Sequence, residues 1–207
     1  MKEEVAQILL DHKAVKSQPD DPFTWVSGII SPIYCDNRKT LSYPEIRTFI
    51  KKRFIQLIKE KFIDPEVIAG VATGAIAQGA LIAEEMKLPF IYVRSSAKSH
   101  GLQNQIEGDL KKGQRVVIVE DLISTGTSSL NAVKRIRSAE AEVLGMVAIF
   151  TYGFDIAFSN FDQENCKLFT LSNYETLIQI ALSTGYINKD QLPVLKEWRN
   201  NPSGWNV

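Results

Sequence analysis

The sequence predicts an α/β fold, with a mostly parallel central sheet flanked by helices. Strand-length apolar runs alternate with amphipathic helical segments through the middle of the chain, which is typical of βαβ units. The chain has 207 residues, of which 44% are hydrophobic, so it is long enough to bury the core of one such domain. We therefore expect a single domain over residues 1–207, with its ligands at the carboxyl ends of the strands.

The N-terminal part of the chain predicts two helices separated by an irregular stretch. Val5, Ile8 and Leu9 have helical spacing and indicate a short amphipathic arm at 3–12. After a proline-punctuated segment, Ser42-Tyr43-Pro44-Glu45 matches a capping box that opens a helix. The apolar face of this second helix is formed by Ile46, Phe49, Ile50, Phe54, Leu57 and Ile58.

Beyond this helix, predicted strands alternate with predicted helices. Strands are predicted at 67–72, 90–93, 115–119, 143–150 and 168–171. Helices are predicted at 75–86, 128–138, 174–184 and 190–199. Together these elements place the core sheet at about residues 65–172. Residues 97–114 are polar and punctuated by glycine, so we expect a long loop there with room for a brief hairpin, and loops of that length are usually functional or disordered.

Charge and composition exclude several classes of function. The 24 basic side chains balance 24 acidic ones, which argues against recruitment of nucleic acid or of an anionic membrane. No apolar run approaches a membrane span, and the first residues lack a hydrophobic signal core. Cys35 and Cys166 lie far apart and, with only two histidines, fit no familiar zinc pattern. We expect a cytoplasmic protein with reduced cysteines and no protein ligands to a metal.

The segment 116–129 predicts a phosphate site. An apolar strand is followed by two adjacent carboxylates and then by small hydroxylated residues around a glycine. Gly126 lets the backbone approach a ligand, and the unpaired N–H groups that open the following helix favour an anion. Hydroxyl donors are available on Ser124, Thr125, Thr127 and Ser128.

Glu120 and Asp121 point to a sugar attached to that phosphate. A carboxylate repels phosphate but accepts hydrogen bonds from two vicinal hydroxyls, so the pair suits a ribose diol. The structural alternative is that Asp121 only caps a helix and that the Ser/Thr run is an ordinary helix start. The segment is neither a Walker loop nor a GxGxxG motif, and the sequence has no GxSxG elbow.

The run Val-Val-Ile-Val-Glu-Asp-Leu-Ile-Ser-Thr-Gly-Thr-Ser at 116–128 resembles the 5-phosphoribosyl 1-diphosphate motif of type I phosphoribosyltransferases. The resemblance implies that family's fold, with a small N-terminal hood at about 1–40 and a long mobile catalytic loop. It also implies a catalytic role for Asp121. It assigns the binding of this donor to Glu120, Asp121, Leu122, Ile123, Ser124, Thr125, Gly126, Thr127 and Ser128.

Further segments resemble the orotate phosphoribosyltransferases. Residues 94–101, Arg-Ser-Ser-Ala-Lys-Ser-His-Gly, look like their mobile catalytic loop, and 23–36 is similar to their orotate-side segment. The resemblance implies a cytoplasmic glycosyltransferase of pyrimidine biosynthesis, using Mg²⁺ and forming a homodimer with shared active sites. Its substrates would be orotate and the donor, and its products orotidine 5′-phosphate and diphosphate.

By the same resemblance, Arg94, Lys98 and His100 contact the diphosphate, and Lys98 is catalytic. Cations near the leaving oxygens stabilise the charge that grows there in the transition state. The alternative is that these are solvated surface charges and an incidental histidine. The orotate-binding residues implied are Ser124, Ser27 and Tyr34, although a tyrosine in an apolar stretch is often plain core. Residues 67–74 resemble a loop that receives the diphosphate, with a plain strand-to-helix turn as the alternative.

The sequence departs from the family at four positions. Val26, Gly74 and Ser96 stand where lysines occur in many or some members, and Tyr152 stands where some have an arginine. Positive charge near the base and the diphosphate is thereby reduced. Two alternatives stay open. One is a purine or other type I phosphoribosyltransferase, and the other is a non-catalytic regulator that senses the donor and binds nucleic acid, for which a basic face would be expected.

Overall fold

The computed structural model describes residues 1–25, 28–94 and 105–205. The chain begins with helix α1 (Lys2–Asp11), which confirms the predicted arm helix. The stretch predicted to be irregular contains four short strands: β1 (Val15–Ser17), β2 (Phe23–Thr24), β3 (Ile30–Ser31) and β4 (Ile33–Cys35). β1 pairs with β4 and β2 with β3, in both cases antiparallel. Strands of two or three residues are too short to show a periodic pattern, so this part of the prediction was wrong.

The second helix, α2 (Pro44–Lys61), follows a 3-10 helix at Asn37–Ser42. The predicted capping box is wrong, because Ser42 lies inside the 3-10 helix and the residue before α2 is Tyr43, whose side chain makes no capping hydrogen bond. Pro44 opens α2 and has no N–H to satisfy. The predicted apolar face is confirmed, with Ile50, Phe54, Leu57 and Ile58 buried and Ile46 and Phe49 packed against the core.

The central sheet has six strands. In chain order they are β5 (Val67–Val71), β6 (Phe90–Val93), β7 (Ile106–Glu107), β8 (Arg115–Ile123), β9 (Glu142–Thr151) and β10 (Leu168–Asn173). Their order across the sheet is β10-β9-β8-β5-β6-β7, and all neighbours are parallel except β7, which pairs antiparallel with β6 at the edge. The α/β fold is therefore confirmed. β7 falls within the predicted loop 97–114, of which 97–104 lies outside the described residues.

The remaining helices are α3 (Ile76–Met86), α4 (Thr127–Ser138), α5 (Asp155–Gln163), α6 (Tyr174–Ser183) and α7 (Gln191–Asn200). Only α5 was not predicted. Its buried residues are Ala157 and Phe161, whereas Ile156 and Phe158 are exposed, so its apolar residues do not lie on one face. Among the described residues, the helices include none with the length and apolar character needed to cross a membrane.

Successive strand residues face two different cores. In β8, Val117 and Val119 pack with α1, α2 and α3, while Val116 and Ile118 pack with α4 and α5. A parallel sheet covered on both faces explains why its strands read as continuous apolar runs.

β8 is four residues longer than predicted, because its ladder to β9 continues through Leu122 and Ile123. The two acids therefore belong to the strand itself. Since side chains alternate along a strand, Glu120 and Asp121 project to opposite faces of the sheet.

Candidate active site

A cavity of about 250 Å³ lies at the carboxyl end of β8. It is lined by Trp25, Tyr34, Cys35, Asp36, Arg38, Asp121, Leu122, Ser124 and Tyr152. The structure thus brings the predicted site residue Tyr34 together with three others from the end of β8 and the loop after it, Asp121, Leu122 and Ser124. Predicted Ser27, Lys98 and His100 lie outside the described residues.

Asp121 is held from two sides. Its backbone carbonyl accepts a hydrogen bond of 2.7 Å from Nδ2 of Asn37, which is buried in the 3-10 helix. Its carboxyl group lies against Gly74, so close that a Cβ on that glycine would overlap it. Burial raises the pKa of the Asp121 carboxyl above its ordinary value, while the hydrogen bond from Glu120 and the charge of Arg38 oppose that rise.

Glu120 does not line this cavity. It is only 5% exposed, and its carboxyl accepts hydrogen bonds from the Ser129 hydroxyl (2.8 Å) and from the Asp121 N–H (2.9 Å). Burial, followed by the charge of Asp121, raises the pKa of Glu120 well above its ordinary value. Burial and the neighbouring carboxylate thus favour the protonated form of Glu120.

The loop after β8 leaves the start of α4 open. Gly126 precedes α4 with φ +79°, and no side chain caps the helix, so the alternative in which Asp121 serves as its cap is wrong. Thr127 and Ser128 are exposed at the first turn, where N–H groups favour an anion. The hydroxyls of Thr125 and Thr127 lie 3.2 Å apart, and Ser124 Oγ accepts a hydrogen bond from the Thr125 N–H.

Helix α5 contacts this loop through two side chains. Asn160 Nδ2 donates a 2.9 Å hydrogen bond to the Thr125 carbonyl, and the Phe161 ring lies over Gly126, where a Cβ would stand 2.7 Å from the ring. Among the predicted donor-binding residues, Ile123 is fully buried, and its carbonyl accepts a hydrogen bond from the Tyr152 N–H (3.0 Å). Gly126 is required both for the left-handed φ and for the contact with Phe161.

The loop after β5 lies beside Arg94. The Ala72 N–H donates to the Val93 carbonyl (2.9 Å), Thr73 is exposed, and the peptide between Ala72 and Thr73 is cis. Nη1 of Arg94 lies 3.3 Å from Oε1 of Glu107 on β7, with the Arg94 side chain 35% exposed. This ion pair involves one terminal nitrogen of the Arg94 guanidinium.

Aromatic side chains form the wall opposite the acids. Tyr34 is 37% exposed, so it is not plain core, and its ring lies 5.6 Å from that of Phe23. The rings of Trp25 and Tyr152 lie 4.8 Å apart, and the Tyr152 hydroxyl accepts a hydrogen bond from the Cys35 N–H (3.2 Å). Burial raises the pKa values of both Cys35 and Tyr152, which keeps these groups neutral. These aromatic rings offer uncharged surfaces against which a planar base could pack.

Comparisons with known proteins agree with this geometry. The model of the family "Phosphoribosyl transferase domain" matches residues 39–180. A protein of Phocaeicola vulgatus named orotate phosphoribosyltransferase is 58% identical over 202 residues, covering 98% of this chain and 95% of its own. The chain belongs to the orotate phosphoribosyltransferase family.

Solved structures related to this phosphoribosyltransferase have the same fold. Orotate phosphoribosyltransferase from Aeropyrum pernix matches with a TM-score of 0.77 and 27% identity, over 89% of this chain and 99% of its own. UMP synthase of Leishmania donovani matches with a TM-score of 0.81 and 28% identity over 96% of this chain, which spans 42% of that longer protein.

Three site residues of this phosphoribosyltransferase were not predicted from the sequence: Asn37, Arg38 and Asn160. Asn37 and Arg38 directly follow the orotate-side segment 23–36, so polar residues after an apolar strand were an available signal. Asn160 lies on the helix that the sequence pattern did not show, and no signal pointed to it.

A larger cavity of about 960 Å³ lies between α1, α2, α6 and α7. It contains neither the strand-end acids nor the Ser/Thr loop, although it shares Tyr152 with the smaller cavity. The smaller cavity, which Asp121 and Ser124 line, is therefore the candidate site.

Proposed function

We propose that this chain transfers the 5-phosphoribosyl group from 5-phosphoribosyl 1-diphosphate to orotate, giving orotidine 5′-phosphate and diphosphate in de novo pyrimidine biosynthesis. One observation carries the proposal: a single cavity joins the Asp121 carboxyl, the start of the phosphate loop at Ser124 and the aromatic wall at Tyr34. Sugar, phosphate and base would thus lie side by side. Relatives that cover 98% of the chain and bear this enzyme's name support the choice of base.

The reaction forms a bond from orotate N1 to the anomeric carbon and breaks the bond from that carbon to diphosphate, with inversion. Positive charge develops on the ribosyl ring and negative charge on the leaving group. A carboxylate fixed beside the ring stabilises the first charge, and cations around the diphosphate stabilise the second. Asp121 would provide the carboxylate, and its two supports, Asn37 and Gly74, would keep it aligned.

Glu120 would respond to the donor. In the free protein the protonated form of Glu120 is favoured, because burial raises its pKa. Ribose hydroxyls that donate hydrogen bonds to the pair favour the ionised form, so donor binding would release a proton. Asp121, which lines the cavity, would meet the ribose diol first.

Arg94, Lys98 and His100 would bind the diphosphate. Arg94 already lies next to the 72–74 loop through the backbone pairing of Val93 with Ala72, which supports a common diphosphate site. Lys98, on the loop after Arg94, would neutralise charge on the departing diphosphate.

We further propose that Mg²⁺ accompanies the donor. Among the described residues there is no group of three or more His, Cys, Asp or Glu side chains that could hold a metal ion. The ion would be coordinated mainly by donor oxygens and water, and when bound it would neutralise the diphosphate.

A homodimer with shared active sites and a cytoplasmic location complete the proposal. Both are inferred from the resemblance to the family, and the location is supported by Cys35 and Cys166, which are free thiols in the core. Sedimentation equilibrium would test the dimer. Mixing a Lys98→Ala protein with an Asp121→Asn protein would test sharing, since hybrid dimers regain activity only if the two residues serve one site from different subunits.

A panel of bases tests the function. Protein, Mg²⁺ and donor are mixed with orotate, uracil, hypoxanthine or adenine, and loss of each base is followed by absorbance or chromatography. We expect turnover with orotate alone. Preferred consumption of hypoxanthine or adenine would instead show a purine phosphoribosyltransferase, and no consumption of any base at high protein concentration would reject the proposal.

A further inference from the structure

We propose that Arg38 binds the carboxylate of orotate and thereby selects orotate over uncharged pyrimidines. This inference rests on the proposed function. No sequence motif identified Arg38, and this residue would supply the positive charge that a pocket for an anionic base requires.

The charges of the cavity call for such a residue. Orotate carries a carboxylate, and the cavity already contains two acidic side chains, Asp36 and Asp121. An anion placed beside them without a cation would be repelled and poorly solvated. Among the described residues that line the cavity, Arg38 has the only cationic side chain.

At two positions where many or some members of the family carry a cation, this chain has an uncharged residue. Val26 stands where many members have a lysine, and Tyr152 stands where some have an arginine. Tyr152 is 1% exposed, and burial raises its pKa, so it contributes no positive charge. Arg38 lines the same cavity as Tyr152 and could supply the charge from the other wall.

The geometry of Arg38 suits a carboxylate. Its side chain is 56% exposed, and its Nε donates a 2.7 Å hydrogen bond to Oδ1 of Asp36. Among the described residues Asp36 is its only acceptor, so both terminal amino groups, Nη1 and Nη2, have no protein partner there. Asp36 orients the guanidinium through one edge and leaves the amino groups to a ligand, where a planar fork can bind a carboxylate through two hydrogen bonds.

The competing role for Arg38 is to act through Asp121. The charge of Arg38 opposes the rise in the pKa of the Asp121 carboxyl, so the two groups interact. If Arg38 only kept Asp121 ionised, it would act on the ribose site, and its removal would weaken the binding of the donor. An arginine that binds orotate would affect only the base. Loss of Arg38 therefore raises the KM of the donor under the first role and the KM of orotate under the second.

The test compares orotate with orotamide, its uncharged amide, in wild-type protein and in Arg38→Gln. Orotamide is measured as a competitor of orotate, and the KM of the donor is measured in parallel. We expect Arg38→Gln to raise the KM of orotate at least tenfold and to reduce the preference for orotate over orotamide by a similar factor. The KM of the donor should change less than about threefold. Arg135→Gln, an exposed arginine on α4, is the matched control and should behave as wild type.

A second variant makes the charge of the pocket more positive, whereas Arg38→Gln makes it more negative. Asp36→Asn removes an acidic charge from the cavity, while its amide oxygen can still accept the hydrogen bond from Nε of Arg38, so it should lower the KM of orotate. Melting temperatures close to that of wild type would establish that both variants fold.

An unchanged preference for orotate in Arg38→Gln overturns the inference, and so does an equal rise in both KM values, which assigns Arg38 to Asp121. Either result leaves the proposed function intact, since wild-type turnover of orotate is measured in the same experiment. Absence of that turnover would reject the proposed function itself.

Discussion

The Asp121 carboxyl group lies directly over Gly74: a Cβ built on this glycine would stand 2.5 Å from the carboxyl carbon. The two residues meet because β5 and β8 are neighbours in the sheet, so the loop after β5 reaches the end of β8. The glycine that replaces a lysine found in some family members is thus the residue that makes room for the acid. A side chain at position 74 and Asp121 in its present place exclude each other.

Gly74→Ala should therefore reduce kcat/KM by roughly tenfold to a hundredfold, because displacement of a reacting group by about an ångström has effects of that size. The measurement is steady-state kinetics with orotate and the donor. Ala77→Ser, which adds one atom at an exposed position two residues into α3, is the control and should keep full activity. Wild-type kinetics in Gly74→Ala would show that the position of Asp121 does not matter.

Glu120→Gln should stabilise the free protein at neutral pH. The pKa of Glu120 is raised well above 4.5 in the fold, so the stability contributed by its protonated form is full below the unfolded pKa and is lost as the pH rises through the folded pKa. Glutamine resembles the protonated acid and does not titrate. The gain in melting temperature over wild type should therefore grow from pH 4.5 to pH 8, by roughly 2–4 °C for each kcal/mol.

The same substitution should weaken binding of the donor, because the ionised pair accepts ribose hydroxyls better than an amide does. Glu142→Gln, an exposed position at the start of β9, is the control for both measurements. A melting-temperature difference that does not vary with pH would show that Glu120 is not held neutral by the fold.

Asn160→Ala should loosen the phosphate loop without removing a group that touches substrate. The variant loses the hydrogen bond to the Thr125 carbonyl, and we expect the KM of the donor to rise by about fivefold, with kcat less affected. Gln163→Ala, an exposed position on the same helix, serves as the comparison. If both substitutions changed the KM of the donor equally, the change would come from the helix and not from the lost hydrogen bond to the loop.

The sheet and most helices could be predicted because long strands buried on both faces have continuous apolar runs, as 115–119 does. Helix α5 could not, because Ile156 and Phe158 are exposed and obscure its buried face. The acid pair was predicted to follow the strand, but both acids lie within β8, and the different surroundings of the two carboxyl groups were not foreseen. Extension of the strand through Leu122 and Ile123 directs Asp121 to the cavity and Glu120 towards Ser129.

The parts of the site that depend on long-range contacts also escaped prediction. Arg38 meets Ser124 at one cavity only because the 3-10 helix after β4 packs against the end of β8, and Asn37 makes that contact through the Asp121 carbonyl. Local patterns carry no information about such pairs. Family resemblance supplied the roles of Arg94 and Tyr34, and the structure supplied their neighbours, Glu107 and Phe23.

Lys98→Ala should lower kcat strongly, on the order of a hundredfold, because the variant removes a cation proposed to stabilise the leaving diphosphate. The dissociation constant of the donor, measured by calorimetry, should stay within about threefold, since other groups hold the ribose and the 5′-phosphate. Lys111→Ala, an exposed lysine before β8, is the control. Full turnover in Lys98→Ala would remove this residue from the catalytic group.

The most direct test of the central claim is the stoichiometry of the products. Orotate, 5-phosphoribosyl 1-diphosphate and Mg²⁺ are incubated with the protein, and orotidine 5′-phosphate and diphosphate are quantified together by phosphorus NMR and chromatography. We predict that both products appear in equal amounts and match the orotate consumed. Diphosphate released without orotidine 5′-phosphate, or no reaction with orotate at all, would contradict the assignment.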